Sequence, residues 1–216
     1  MQVKIAPSIL SCDFSQLGEE IKRIDATTAE YIHVDVMDGI FVPNITIGHP
    51  IVKQIRPFTK KVFDVHLMII KPEKYIKGFA DAGADIISVH RENEYDVKEV
   101  LKEIRGCGKK ASIVYNPDTN ADDIEDYFPY IDQMLIMSVH PGFGGQSFIV
   151  SSLEKGEMVR RKIDAAKAAV DLEIDGGVDF SNAARIRDAG FNVLVSGNTI
   201  FRADDLAQAV EKLRNN

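Results

Sequence analysis

Residues 31–39 read Tyr31-Ile32-His33-Val34-Asp35-Val36-Met37-Asp38-Gly39. The run predicts one β-strand followed by a turn. Side chains alternate along a strand, so Ile32, Val34 and Val36 share one face. Tyr31, His33, Asp35 and Met37 share the other. The first set is core. The second puts an imidazole and a carboxylate two residues apart on a face that looks inward. An ionised carboxylate facing an interior is costly unless it is paired or binds a metal. Residues 62–68, Val62-Phe63-Asp64-Val65-His66-Leu67-Met68, repeat the pattern, with Asp64, His66 and Met68 on one face.

The rest of the chain extends this unit. Residues 3–10 predict a first strand, and Asp13 or Ser15 caps a helix through Leu17, Ile21 and Ile24. A loop over 39–48 precedes a short helix that buries Ile51, Val52 and Ile55 and stops at Pro57. Pro72 opens the helix after strand three, which ends near Ala82-Gly83. Strands follow at 85–90, 110–115, 133–139, 171–174 and 192–196. Between them lie helices at 97–104, 122–128 and 153–169, a helix capped by Ser181 that ends at Gly190, and a last helix over 204–213. Strictly alternating strands and helices imply a parallel sheet. Eight such units in 216 residues predict a closed (β/α)8 TIM barrel, one domain over residues 1–216. An open doubly wound sheet is the runner-up, but no G-x-G-x-x-G fingerprint follows strand one.

Composition narrows the function. The net charge of −7 argues against broad nucleic-acid or anionic-membrane binding. The two cysteines, Cys12 and Cys107, have no metal-type spacing and suggest no disulfide framework. No signal-peptide core or membrane-length apolar run is seen, so a cytoplasmic location is expected. An anionic small molecule would need a local site made of backbone N–H groups.

Candidate chemistry sits at the strand ends, where barrel active sites are built. His33 and Asp35 on strand two, His66 on strand three and Asp175 after strand seven are candidate metal ligands. Two imidazoles and two carboxylates suit one divalent transition metal such as Zn, Mn, Fe or Co. Glycine-rich turns at Gly142, Gly144 and Gly145, at Gly176 and Gly177, and at Gly197 suit a phosphate held by backbone N–H groups. Met37, Met68 and Met137 read either as gap-filling core or as a dry wall of the site. His90 reads as a further polar contact or a capped structural residue. His49 reads as structural, and His140 as shaping the glycine loop.

These motifs resemble the ribulose-phosphate 3-epimerases over nearly the whole chain. They are Pro7-Ser8-Ile9-Leu10-Ser11, His33 to Gly39 with Phe41-Val42-Pro43-Asn44, Asp64 to Met68, Met137-Ser138-Val139 with Pro141 to Phe148, and Asp175-Gly176-Gly177. The resemblance implies a barrel with one metal ion that interconverts D-ribulose 5-phosphate and D-xylulose 5-phosphate through a metal-stabilised enediolate. It makes His33, Asp35, His66 and Asp175 the metal ligands and Asp35 and Asp175 the acid–base pair. It places Ser8 and His66 against substrate. Gly142, Phe143, Gly144, Gly145, Gly176, Gly177, Gly197 and Asn198 fall around the phosphate end, and Met37, Met68 and Met137 along the intermediate. A homo-oligomer is expected on the same ground.

Several positions depart from the family pattern. Asn198 stands where Ser is usual, His140 where Asn or Glu is more common, and Arg91 where an uncharged residue is expected. Ser112 and Asp118 are also unusual. They leave the ligands intact but bear on the sugar, so a 3-epimerase of a six-carbon ketose such as D-allulose 6-phosphate is the alternative. A metal-independent barrel lyase would want a catalytic Lys at a strand end, but Lys4, Lys61 and Lys110 lie at strand beginnings. A non-catalytic sugar-phosphate binder would not need both carboxylates.

Overall fold

The computed structural model describes residues 2–215. Its strands are β1 (Lys4–Pro7), β2 (Tyr31–Met37), β3 (Val62–Met68), β4 (Ile86–His90), β5 (Lys110–Tyr115), β6 (Gln133–Met137), β7 (Asp171–Asp175) and β8 (Val193–Ser196). The helices are α1 (Leu17–Asp25), α2 (His49–Ile55), α3 (Ile76–Ala82), α4 (Val97–Gly106), α5 (Ser151–Ala166), α6 (Ala183–Asp188), α7 (Asn198–Phe201) and α8 (Leu206–Asn215). The sheet runs β1-β8-β7-β6-β5-β4-β3-β2, with every pair parallel. A bridge between Ser8 and His33 draws β1 onto β2. The molecule is the expected (β/α)8 barrel. Among the described residues no helix is long and apolar enough to cross a membrane.

The two faces of β2 separate as the alternation requires. Ile32, Val34 and Val36 join one large apolar layer with Ile21 and Ile24 of α1 and Val52 and Ile55 of α2. Tyr31, His33, Asp35 and Met37 point the other way, at successive heights inside the barrel. At the lowest level Tyr31 packs with Ala6, Ile86, Val193 and Val195 as an apolar plug. Above it the interior turns polar: His33, Asp64, Gln133 and Glu173 are all within 1% of full burial.

The helices differ from the sequence expectation where local hydrogen bonds intervene. The first strand is short because Ser8 Oγ accepts the Leu10 N–H at 3.3 Å and bends residues Ile9–Ser11 into a 3-10 turn. Pro72 opens a separate 3-10 turn, Pro72–Lys74, and the α-helix begins at Ile76. The segment after β5 is a 3-10 helix, Ile124–Tyr130, with Pro129 inside it. Ser181 does not cap α6. Asp179 Oδ1 accepts from the Ser181 N–H, the Ser181 hydroxyl and the Asn182 N–H at 2.7, 2.6 and 3.1 Å, and a carboxylate takes several donors where a hydroxyl cannot. The last helix begins at Leu206 rather than at Asp204, after the unanticipated single turn of α7.

Candidate active site

Strand register assembles the site. In parallel pairing, residues opposite one another lie on the same face. His33 is opposite Asp64, Asp35 opposite His66, and Met37 opposite Met68. Met137 is opposite Asp175 across β6 and β7. Residues read as alternating along two strands therefore become neighbours at three heights.

The four candidate ligands converge. One donor atom from each of His33, Asp35, His66 and Asp175 lies within 4.8 Å of all the others. Asp35 Oδ1 is 3.3 Å from His33 Nε2 and 3.2 Å from His66 Nδ1, and His33 Nε2 is 3.9 Å from Asp175 Oδ2. Donors about 2 Å from a shared cation stand at such spacings from one another. Among the described residues His33 Nε2 is buried without a hydrogen-bond partner, and it faces this space. An orphaned imidazole nitrogen among two carboxylates and a second imidazole fits a divalent transition ion. His33 Nδ1 meets Asp64 Oδ2 at 2.7 Å, the carboxylate–imidazole support that orients metal-binding histidines.

Electrostatics separates the two candidate acid–base groups. Burial pushes Asp35 up, but the His33 ring beside it holds its carboxyl well below the usual range. Its outer oxygen, Oδ2, accepts the Ser8 hydroxyl at 2.7 Å. Asp175 has weaker support, from the His33 ring alone at 3.9 Å. Burial first, then the charge of Asp35, pushes it up to about 7. His33 is raised, because Asp35 and Asp64 together outweigh the effect of burial. Burial lowers His66 to about 4, against the pull of Asp35. A bound cation would lower both carboxylates again by favouring their charged forms.

A cavity of about 230 Å³ opens above this cluster. Asp35 and Asp175 reach into its floor, with Ser8, Met37, Met68 and Met137 around them. Its far side is made by Gly142, Phe143, Gly144 and Gly145 after β6, Gly176 and Gly177 after β7, and Gly197 and Asn198 after β8. His33 and His66 are fully buried beneath the floor and are not among its walls. Gly177 shows why side chains are excluded there. Its φ is +64°, and a Cβ would stand 2.8 Å from Phe148 N and 2.9 Å from Gln146 O. Two of the lysines set aside as catalytic candidates are occupied elsewhere. Lys4 pairs with Asp171 at 2.6 Å, and Lys61 donates to the Thr27 and Ala29 carbonyls.

Three participants escaped the sequence reading. Glu173 and Gln133 lie inside the barrel with Asp64, and Gln133 Nε2 donates to Glu173 Oε2 at 2.6 Å. Glu173 stands two residues before Asp175, on the same face of β7, and that face becomes an interior once the sheet closes. Glu92 meets His90 Nδ1 at 3.1 Å, and His90 Nε2 meets His66 Nε2 at 2.8 Å.

Known proteins are similar to this chain in sequence and in fold. Residues 4–201 match the model of the ribulose-phosphate 3-epimerase family. A ribulose-phosphate 3-epimerase of Synechocystis sp. is 52% identical over 215 residues, covering 99% of this chain and 94% of the relative. One from Bacillus subtilis is 47% identical over 213 residues, covering 98% of each. Among solved structures, orotidine 5'-phosphate decarboxylase from Pyrococcus horikoshii OT3 superposes with a TM-score of 0.68 at 14% identity, covering 98% of this chain and 97% of that one, a likeness of fold alone. On the family match and the near-full-length identities, the chain belongs to the ribulose-phosphate 3-epimerase family.

Proposed function

We propose that this chain is an isomerase that inverts C3 of a ketose phosphate, interconverting D-ribulose 5-phosphate and D-xylulose 5-phosphate. One observation carries the reading. Two carboxylates on separate strands, Asp35 and Asp175, enter one cavity whose far side is glycine-rich backbone. Inverting a carbon beside a ketone requires a proton to leave one face and another to arrive on the opposite face. A single base reaches one face; two carboxylates flanking C3 reach both. The 47–52% identical relatives named above are ribulose-phosphate 3-epimerases, which favours the five-carbon sugar over D-allulose 6-phosphate.

Asp35 and Asp175 take the two proton-transfer roles, exchanging them with the direction of the reaction. Ser8 holds Asp35 Oδ2 by a hydrogen bond and so fixes the direction in which that carboxylate faces C3. A divalent Zn, Mn, Fe or Co ion held by His33, Asp35, His66 and Asp175 would supply positive charge where the enediolate oxygens become negative. Met37, Met68 and Met137 line the reacting carbons and exclude water, which would otherwise quench the carbanion-like centre. Gly145, Gly177, Gly197 and Asn198 hold the phosphate through backbone and amide N–H groups, which suits a chain of net charge −7 that offers no broad basic face.

The test is solvent exchange. Ribulose 5-phosphate incubated with the protein in D₂O should gain deuterium at C3, and a chelator should suppress the gain. Asp35→Asn and Asp175→Asn, loaded with metal, should each lose roughly 10²–10⁴-fold in turnover. Near-normal turnover in either variant would overturn the assignment.

A further inference from the structure

His66 presents Nδ1 to the ligand cluster and Nε2 to His90. The two rings are 25° from parallel with centroids 5.0 Å apart, and they meet at their Nε2 corners. An imidazole–imidazole hydrogen bond needs one N–H and one lone pair. Which ring supplies which is decided further out. His90 Nδ1 is 3.1 Å from Glu92 Oε2, and Glu92 Oε1 accepts the Asn116 N–H at 2.7 Å. An ionised carboxylate only accepts, so the proton on His90 belongs to Nδ1. His90 Nε2 then carries a lone pair, and His66 Nε2 must be the donor. That leaves His66 Nδ1 unprotonated, facing Asp35 Oδ1 at 3.2 Å.

The chain is enclosed. His66 and His90 are fully buried, the Phe41 ring lies 4.6 Å from His90, and the Tyr95 hydroxyl donates to the His90 carbonyl at 2.9 Å. Asp35 opposes the arrangement, since a carboxylate at that distance draws a proton onto His66 Nδ1. We propose that Glu92 and His90 are positioning residues that set the tautomer of His66, so that its Nδ1 lone pair is available to a divalent cation. The inference rests on the metal reading given above and deepens it. It also separates the two imidazoles: Asp64 orients His33 directly, whereas His66 is oriented through a second ring.

The conservative variant is the informative one. In Glu92→Gln the Asn116 N–H would hold the amide oxygen and turn the amide NH₂ toward His90 Nδ1. His90 would then carry its proton on Nε2, and His66 would have to accept there and hold its own proton on Nδ1. Glu92→Ala removes the acceptor but imposes no reversal. Zinc affinity is measured by chelator competition for wild type and both variants, with thermal melts to establish folding. Nitrogen-15 NMR of the metal-free proteins locates the His66 proton. Glu92→Gln should bind zinc about 10–100-fold more weakly than wild type. Glu92→Ala should lose less, an order that a merely structural role would reverse. The His66 proton should sit on Nε2 in wild type and on Nδ1 in Glu92→Gln. Unchanged zinc affinity in Glu92→Gln, a larger loss in Glu92→Ala, or an Nδ1 proton on His66 in wild type would overturn the relay. A wild type that takes up no zinc overturns the metal reading instead, and the NMR comparison then decides the tautomer relay on its own.

Discussion

Asp38 follows directly on β2, yet its carboxylate turns away from the barrel. Oδ1 accepts the Ile40 and Phe41 N–H groups, and Oδ2 accepts the Ile70 N–H, each at 2.8 Å. One side chain thus ties the loop after β2 to the loop after β3. Burial opposes its charge, but these backbone donors hold its carboxyl below the usual value of 3.8. A carboxylate whose folded pKa is depressed adds stability above the unfolded pKa, and that stability is lost as pH falls through the folded pKa. Asp38→Asn should therefore melt below wild type at pH 7, with the gap closing as pH is lowered past 3.8. A gap that stays constant across that range would mean the charge of Asp38 contributes nothing. At this scale the sequence was legible where a residue type is unusual for its place. His33, Asp35, His66 and Asp175 stood out as polar groups on inward faces. Glu173 did not, because a charge alternating with Leu172 and Ile174 also describes a strand with one face in water. Only closure of the sheet turns that face into an interior.

Among elements, the strands were more legible than the helices. The predicted bounds of β3 and β5 coincide with the observed ones, and β2 begins at Tyr31 as expected. Their period-2 pattern is enforced over their length by an apolar layer on one face and a filled interior on the other. Helix starts depend on which nearby side chain wins the exposed N–H groups, a competition that apolar spacing does not encode. Asp179 outcompeting Ser181 before α6 is one case, and the turn drawn by Ser8 after β1 is another. The β7–α6 turn carries a prediction at this scale. An Ala at Gly177 would force a side chain into left-handed backbone and against Phe148 N and Gln146 O. Gly177→Ala should lose about 1–3 kcal/mol of stability by chemical denaturation. It should also raise KM for the sugar phosphate more than it lowers kcat, because the displaced loops are those that line the phosphate end.

For the molecule as a whole, the polar interior sets a stability cost that ligands can offset. Buried oxygens of Ser88, Ser112, Gln133 and Glu173 lack hydrogen-bond partners among the described protein groups. Burial and the neighbouring Asp64 charge push the Glu173 carboxyl well above its ordinary value. Such an interior stabilises less than an apolar one of the same volume. A ligand that binds only the folded state at 100 times its Kd adds about 2.7 kcal/mol. For a protein of this size that corresponds to roughly 5–10 °C in Tm. Zinc and inorganic phosphate should each raise the melting temperature, and a chelator should lower it in metal-loaded protein. A melting curve indifferent to all three would mean that neither site is coupled to folding. The barrel class was legible at this scale because eight alternating units and a polar set confined to strand ends pointed to the same architecture.

The pairing of β2 with β3 carries a consequence for how the chain is proofread. A slip of one residue in that register would exchange the faces of either strand, sending His33 and Asp35 outward and Ile32 and Val34 inward. The same slip would break the apolar layer beneath α1 and α2. A form slipped by one residue could therefore not keep the four donors together while merely losing some stability. Metal uptake becomes a signature of a correctly threaded barrel. In a refolding mixture, the fraction of chains that retain zinc should track the fraction that is native, so the ion can sort correctly folded molecules from near misses before any substrate is added.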